Sequence, residues 1–389
     1  LGFGEARLPL LPRLRDALRA ATARTSYAPV LGLPALRAEI AGYLSRRWGI
    51  ESAPDAVLVA PGSKPLFYGL LQVLEGDLLL PVPSWVSYAP QALRAGKRVV
   101  PVRTDDADRL ALSLTALDEA LARGRAEGAQ PRLLVLNTPS NPTGGMLARD
   151  EVAAIAAWAR AHGITLLCDE LYAELAHGWR THASPATFYP EGTIVTGGLS
   201  KAFAAGGWRL GYAALPPSEA GARVAAAVRA LASEVWSAAA TPTQHAACAA
   251  FADDAETTRY LRRAARLHGH AAGRLHAALV RAGVRCPRPA GGFYLYPDFA
   301  PWRAALAARD ITTCDALARH LLDTYEIATL AGTDFGEEAG RLCLRLATSG
   351  LYAPAEMAVE ERDALLWPLL NATDALPEAD PAAGPPLPL

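Results

Sequence analysis

Two neighbouring stretches decide the fold: Leu133-Leu134-Val135-Leu136 with its loop Asn137-Thr138-Pro139-Ser140-Asn141-Pro142-Thr143-Gly144, and Thr165-Leu166-Leu167-Cys168 ending in Asp169-Glu170-Leu171-Tyr172. Each is a short, β-rich apolar run, and an Ala-rich amphipathic helical segment lies between them. That alternation builds parallel strands covered on both faces. Working outward, the same pattern returns at Ala56-Val57-Leu58-Val59, Asp77-Leu78-Leu79-Leu80, Arg98-Val99-Val100-Pro101-Val102 and Thr193-Ile194-Val195-Thr196, each followed by a loop with Gly, Pro, Asn or Asp. An α/β fold with a mostly parallel sheet between helices is the expectation. Ligands of such sheets gather outside the carboxyl ends of the strands, so the loops there are where chemistry is to be sought.

Beyond about residue 215 the pattern becomes helical, through an Ala/Arg-rich stretch from Ser218 to about Ala282. Strand-like runs then return at Gly292-Phe293-Tyr294-Leu295-Tyr296 and Leu342-Cys343-Leu344-Arg345-Leu346. These predict a smaller α+β domain made of residues 1–29 and 281–372, beside a large domain over 30–280. Residues 373–389 are Pro/Ala/Gly-rich without apolar periodicity and are expected to form a disordered tail.

A chain of 389 residues can bury a large core, and two domains are the natural prior at this size. Lys+Arg number 38 against Asp+Glu 39, so no overall charge draws the chain to nucleic acid or an anionic membrane. The partner is expected to be a small molecule. Five scattered cysteines, without CxxC or Cys/His ligand spacing, point away from a disulfide framework or a zinc site and toward a reducing, cytoplasmic setting. No window has the roughly 18 uninterrupted apolar residues of a membrane span.

The residue that organises the chemistry is Lys201 in Gly198-Leu199-Ser200-Lys201, followed by Gly207-Trp208-Arg209-Leu210-Gly211-Tyr212. A lysine after a buried strand is ordinarily a solvated lysine. Here it stands with the Asn/Pro loop ending in Asn141-Pro142-Thr143-Gly144 and with Asp169 and Tyr172 at the end of an apolar strand. Together the three clusters resemble the class I/II aminotransferases of the fold-type-I pyridoxal-phosphate (PLP) enzymes, over about Leu1 to Leu370.

The resemblance implies a role for each residue. Lys201 would hold PLP covalently and move the proton. Asp169 would pair with the pyridine nitrogen, and Tyr172 and Asn141 would reach the phenolic oxygen. The chemistry calls for these types: PLP is an electron sink only while its ring nitrogen stays protonated, which a carboxylate in a low-dielectric pocket enforces. Lysine must become a neutral nucleophile near pH 7, which desolvation and nearby positive charge promote.

Phosphate needs donors and positive charge. Gly62-Ser63-Lys64 follows a strand and opens an apolar helical run, so it offers backbone N–H groups and a helix N-terminus. Arg209 and the hydroxyl of Ser200 would complete this cup. The chain departs from the family's common SxSK pattern in having Gly198 at its first position, so one phosphate contact must come from elsewhere: a backbone N–H, water or Tyr27 of a partner subunit. The Tyr27-Ala28-Pro29 segment resembles the one whose tyrosine crosses a dimer interface, implying a homodimer with a shared active site. Trp85, in Pro83-Ser84-Trp85-Val86-Ser87-Tyr88, matches the aromatic that stacks on the PLP ring.

A substrate carboxylate calls for the bidentate fork of an arginine. Arg345 matches the family position better than Arg341, and both are expected on the same face of one strand. Trp85 and Asn141 are the other expected substrate contacts. The eight histidines show no metal-ligand spacing; His268 and His270 read as a solvated face, and Gly291-Gly292-Phe293 as a plain strand entry. The implied activity is amino-group exchange between an α-amino acid and a 2-oxo acid by a ping-pong route. A PLP-dependent lyase, cyclase or synthase of the same fold is the alternative, because such relatives share the Lys/Asp/Tyr/Arg set.

Overall fold

The computed structural model describes residues 1–104, 111–353, 357–377, 380, 383 and 387. Its centre is a seven-stranded sheet of β1 (Val57–Ala60), β2 (Asp77–Val82), β3 (Val99–Arg103), β4 (Pro131–Asn137), β5 (Thr165–Asp169), β6 (Thr193–Gly198) and β7 (Gly211–Ala214). The spatial order is β1-β7-β6-β5-β4-β2-β3, and β7 alone runs against its neighbours. The six strands read from the sequence are present, and β7, hidden in the stretch after Arg209, is added between β1 and β6.

Burial on both faces explains why the central strands are unbroken apolar runs. Leu166, Leu167 and Cys168 of β5 are fully buried, with Leu133, Leu134 and Val135 of β4 beside them. Each such side chain contributes roughly 1.5–3 kcal/mol relative to exposure. The crossover helix Arg149–His162 joins β4 to β5. It carries Asp150 and Glu151 in its first turn and Arg160 and His162 in its last, as the helix dipole favours. Gly163 ends it in the left-handed conformation at φ 66°.

A second sheet of three strands has the order β8 (Tyr294–Leu295), β10 (Leu344–Ala347), β9 (Leu330–Ala331), all antiparallel. Its core joins Leu295, Leu317, Leu342, Leu344 and Leu346 to the long helix Ala255–Arg281. The helical stretch expected from Ser218 resolves into Glu219–Val235, Thr241–Phe251 and this long helix.

Three expectations are corrected. Residues 1–29, assigned to the small domain, divide: the Leu1 carbonyl accepts from Ala347 N of β10, whereas helix Pro12–Ala21 buries Leu14 and Ala21 against helix Thr241–Phe251. The stretch read as a disordered tail begins too early. Thr373–Ala375 form a 3-10 turn, Leu376 is buried, and Asp374 pairs with Arg263 at 2.5 Å; most of 378–389 lies outside the described residues. Finally, His268 and His270 are buried, and His268 Nδ1 lies 2.7 Å from the Tyr352 hydroxyl. The arginines around them suggested a solvated face, but Tyr260, Leu261, Ala264 and Leu267 set the inward stripe of that helix, and His268 falls on it.

Candidate active site

The carboxyl ends of β2, β4, β5 and β6 open into one cavity of about 620 Å³, closed on the far side by Tyr294, Leu330 and Arg345 of the small sheet and by Gly2–Glu5. Lys201, Asp169, Tyr172, Asn141, Ser63, Lys64, Trp85, Ser200, Arg209 and Arg345 all line it. Gly62 stands at its edge, immediately before Ser63. Tyr27 does not reach it and is 96% exposed in the single chain.

Asp169 is the last residue of β5 and is buried. Oδ2 accepts a 2.7 Å hydrogen bond from the Tyr88 hydroxyl, and Oδ1 accepts one of 3.2 Å from Leu171 N. Burial raises its pKa, and these two donors and Lys201 oppose the rise. The neighbouring strand end is tied to the same residue: Asn137 donates from Nδ2 to the Asp169 carbonyl at 2.8 Å, while its Oδ1 accepts from Asn141 N at 2.7 Å. Asn141 is thereby held beside Asp169. The Thr138-Pro139 and Asn141-Pro142 bonds in this loop are cis.

Lys201 follows β6, and its Nζ donates to the Gly4 carbonyl at 2.5 Å. Desolvation first, then the Arg345 charge, lower its pKa from 10.5 to about 8, against the opposing pull of Glu5 and Asp169. The amine also lies 5.9 Å from the ring centroids of Tyr172 and Phe293. It is a half-buried amine poised for loss of its proton near neutral pH.

At the opposite end, helix Ser63–Val73 points its N-terminus into the cavity, with Gly62 at φ 108° as its N-cap. Arg209, at φ 52°, donates from Nη1 to the Gly206 carbonyl at 2.8 Å. A Cβ at position 62 would collide with the Arg209 guanidinium, so glycine is what lets the two approach. Lys64 Nζ stands 4.9 Å over the Trp85 ring. The glycine at 198 has a steric origin too: it faces Gly211 in the β6–β7 register, and a Cβ there would sit 2.6 Å from the Leu210 carbonyl oxygen. No side chain fits at that position, whatever its hydroxyl would contribute.

Arg345 is buried on β10, and burial lowers its pKa. Its guanidinium donates to Asn141 Oδ1 at 3.3 Å and to the Gly2 carbonyl at 2.5 Å, and Nε has no hydrogen-bond partner among the described residues. It lies 4.8 Å over the Tyr294 ring and 5.2 Å over the Phe335 ring. Arg341 is not on the same strand face as expected, because β10 begins only at Leu344; Arg341 instead pairs with Glu337 at 3.4 Å. Of these two arginines, Arg345 lines the cavity and Arg341 does not.

Sequence reasoning passed over Tyr88, Asn137, Tyr294 and Gly2–Glu5, which line the same space. Asn137 carried a signal, being a polar group at the end of β4, whereas Tyr88, at the start of helix Tyr88–Arg94, carried none. Tyr294 looked like strand, and nothing local placed the first residues of the chain beside Lys201. The entry read at Gly291-Gly292-Phe293 borders the site: Gly292 abuts the Tyr172 ring, and Phe293 packs edge-on against it at 5.6 Å.

A half-buried lysine and a buried carboxylate lie at the carboxyl ends of a mostly parallel sheet with a second small sheet closing over them, and the fold is that of the fold-type-I aminotransferases. The chain belongs to the class I and II aminotransferase family, whose family model matches residues 1–352. It is 33% identical to the aspartate aminotransferase of Geobacillus stearothermophilus, over 86% of this chain and 84% of that protein. It is 30% identical to the aspartate/prephenate aminotransferase of Thermus thermophilus, over 90% and 86% of the two chains. The solved aspartate aminotransferase from Thermus thermophilus with maleate superposes with a TM-score of 0.80 at 28% identity, over 94% of this chain and 89% of that one. An aromatic aminotransferase from Pyrococcus horikoshii gives 0.81 at 25% identity, over 96% and 95%. The chain is an aminotransferase, acting on amino acids and keto acids.

Proposed function

We propose that this aminotransferase holds PLP in the cavity around Lys201 and uses it to exchange an amino group between an α-amino acid and a 2-oxo acid. The observation that carries the reading is the placement of Lys201, Asp169 and Arg345 around one cavity, with a helix N-terminus and Arg209 at its other end. The donor set fits the cofactor. The start of helix Ser63–Val73, the hydroxyls of Ser63 and Ser200 and the charge of Arg209 suit a phosphate dianion, and the glycine at 62 leaves room for the Arg209 guanidinium. Asp169, braced by Tyr88, suits a protonated ring nitrogen, and Tyr172 and Asn141 supply donors for a phenolic oxygen.

When bound, PLP supplies an electron sink for the carbanion formed as the substrate Cα loses its proton. The chain's residues do the rest. Arg345, with its free Nε, binds the α-carboxylate, and this requires the Gly2 carbonyl to give up its place on the guanidinium. Asn141 steadies the same fork. Lys201, neutral in a useful fraction of molecules near pH 7, takes the proton from Cα and returns it on the other side of the exchange. Trp85 covers the ring plane. The donors Tyr88 and Leu171 N favour the charged form of Asp169 against the burial that raises its pKa.

The exposed Tyr27 belongs to this reading as a residue lent to the partner subunit of a homodimer. The five free cysteines suit a cytoplasmic home. Aspartate is the first donor to test, given what the relatives are named for. The deciding experiment is Lys201→Ala: the purified variant is expected to lose both turnover and the visible absorbance band that bound PLP gives the wild type. Retention of both would overturn the assignment. Sedimentation of wild type at micromolar concentration is expected to give a dimer, and Tyr27→Ala to weaken cofactor binding; a monomer with full activity would remove the shared site.

A further inference from the structure

Tyr294 has no part in the reading above, yet it touches two residues that do, Tyr172 and Arg345. It opens β8, is buried, and its hydroxyl lies 2.9 Å from the Tyr172 hydroxyl. Its ring face lies under the Arg345 guanidinium at 4.8 Å. Its hydroxyl also faces Gly4, where any Cβ would collide with it, so the chain leaves that space to the phenol.

We infer that Tyr294 is a positioning residue with two separable functions: its hydroxyl directs the proton of Tyr172 toward the cofactor's phenolic oxygen, and its ring supports Arg345 against the substrate carboxylate. This rests on the proposed placement of PLP. The first function follows from donor counting. A phenol has one proton, so once Tyr172 donates to the cofactor, the 2.9 Å contact persists only if Tyr294 donates to Tyr172. A chain of two donors polarises in one direction, which strengthens the last bond by about 10–30%. A stronger donor lowers the proton affinity of the oxygen it reaches. The second function follows from the ring's negative face under a buried cation.

The charged groups that act on this pair are Asp169 on β5 and Arg345 on β10, with the Lys201 amine 5.9 Å from the Tyr172 ring; Glu5 on the N-terminal segment and Arg209 before β7 act on Lys201. All remain in place when the Tyr294 hydroxyl is removed. Burial keeps both phenols protonated across the working range, so neither titrates there itself.

The test uses cofactor-loaded enzyme and four variants. Tyr294→Phe keeps the ring, and the pH midpoint of the bound cofactor's visible band is expected to rise by about half a unit with KM for the amino acid unchanged. Tyr294→Leu removes the ring as well, and KM is expected to rise about threefold to tenfold beyond that. In a Tyr172→Phe background, Tyr294→Phe is expected to leave the midpoint where Tyr172→Phe alone puts it. An unmoved midpoint in Tyr294→Phe, or an equal shift in both backgrounds, overturns the inference. Because these readouts need a visible band that depends on Lys201, its absence from wild type would instead fail the PLP placement itself.

Discussion

The hydroxyl of Tyr88 donates a 2.7 Å hydrogen bond to Oδ2 of Asp169, although the two residues lie 81 positions apart in the chain. Tyr88 stands at the start of helix Tyr88–Arg94, just beyond the segment that carries Trp85, and packs at 5.1 Å against that indole. On the proposed placement of PLP, one segment after β2 would supply both the face that covers the ring and the bond that favours the charged form of the opposing carboxylate. A hydrogen bond to an ionised group contributes about 1.5–3 kcal/mol. Tyr88→Phe is expected to weaken PLP binding about tenfold or more, measured by titrating the cofactor into cofactor-free protein. Unchanged affinity would show that Asp169 needs no such brace.

Lys201 gives a pH prediction with a definite sign. Its pKa falls from 10.5 to about 8 on folding, so between those values the unfolded chain binds the extra proton. Stability contributed by this group is therefore lowest below about pH 8 and is regained as pH rises toward 10.5. In the same sense, capture of PLP by cofactor-free protein is expected to speed up with pH and level off above a midpoint near 8, with about a tenth of the lysine neutral at pH 7. Stopped-flow mixing across that range checks it; a flat profile would mean the amine is not the reacting group.

Arg345→Lys keeps the charge and removes the fork. With only a point charge facing a carboxylate, KM for the amino acid is expected to rise about tenfold to a hundredfold, while the absorbance of bound PLP stays as in wild type. Arg341→Lys, at the residue paired with Glu337, is expected to leave KM within about twofold. Steady-state kinetics on the two variants side by side settle which arginine meets the substrate.

Gly198→Ser restores the serine of the common family pattern, and it is expected to harm the protein. The new Cβ would press on the Leu210 carbonyl oxygen at 2.6 Å and force β6 and β7 apart. A loss of about 1–3 kcal/mol is expected, read by chemical denaturation. Gain of cofactor affinity without loss of stability would contradict the steric account.

How much of this was legible in the sequence depends on distance along the chain. The apolar runs of β4 and β5 announced themselves because both sheet faces are covered, and the motif around Lys201 pointed to the strand ends. β7 was invisible because Gly211-Tyr212-Ala213-Ala214 is short and glycine-led, its place fixed by pairing with β1 and β6. The choice between Arg341 and Arg345 turned on where β10 starts, which side-chain alternation alone does not reveal. Tyr88, Tyr294 and Gly2–Glu5 enter the site through contacts made across the fold, and no local pattern encodes those.

The most direct measurement is the half-reaction. Aspartate alone, added to the PLP-loaded protein without any 2-oxo acid, is expected to discharge the visible absorbance band and release a stoichiometric amount of oxaloacetate, with the band restored on adding 2-oxoglutarate. Lys201→Ala is expected to do neither. Release of ammonia, or an unchanged band with aspartate and with every other amino acid tried, would contradict amino-group transfer through this site.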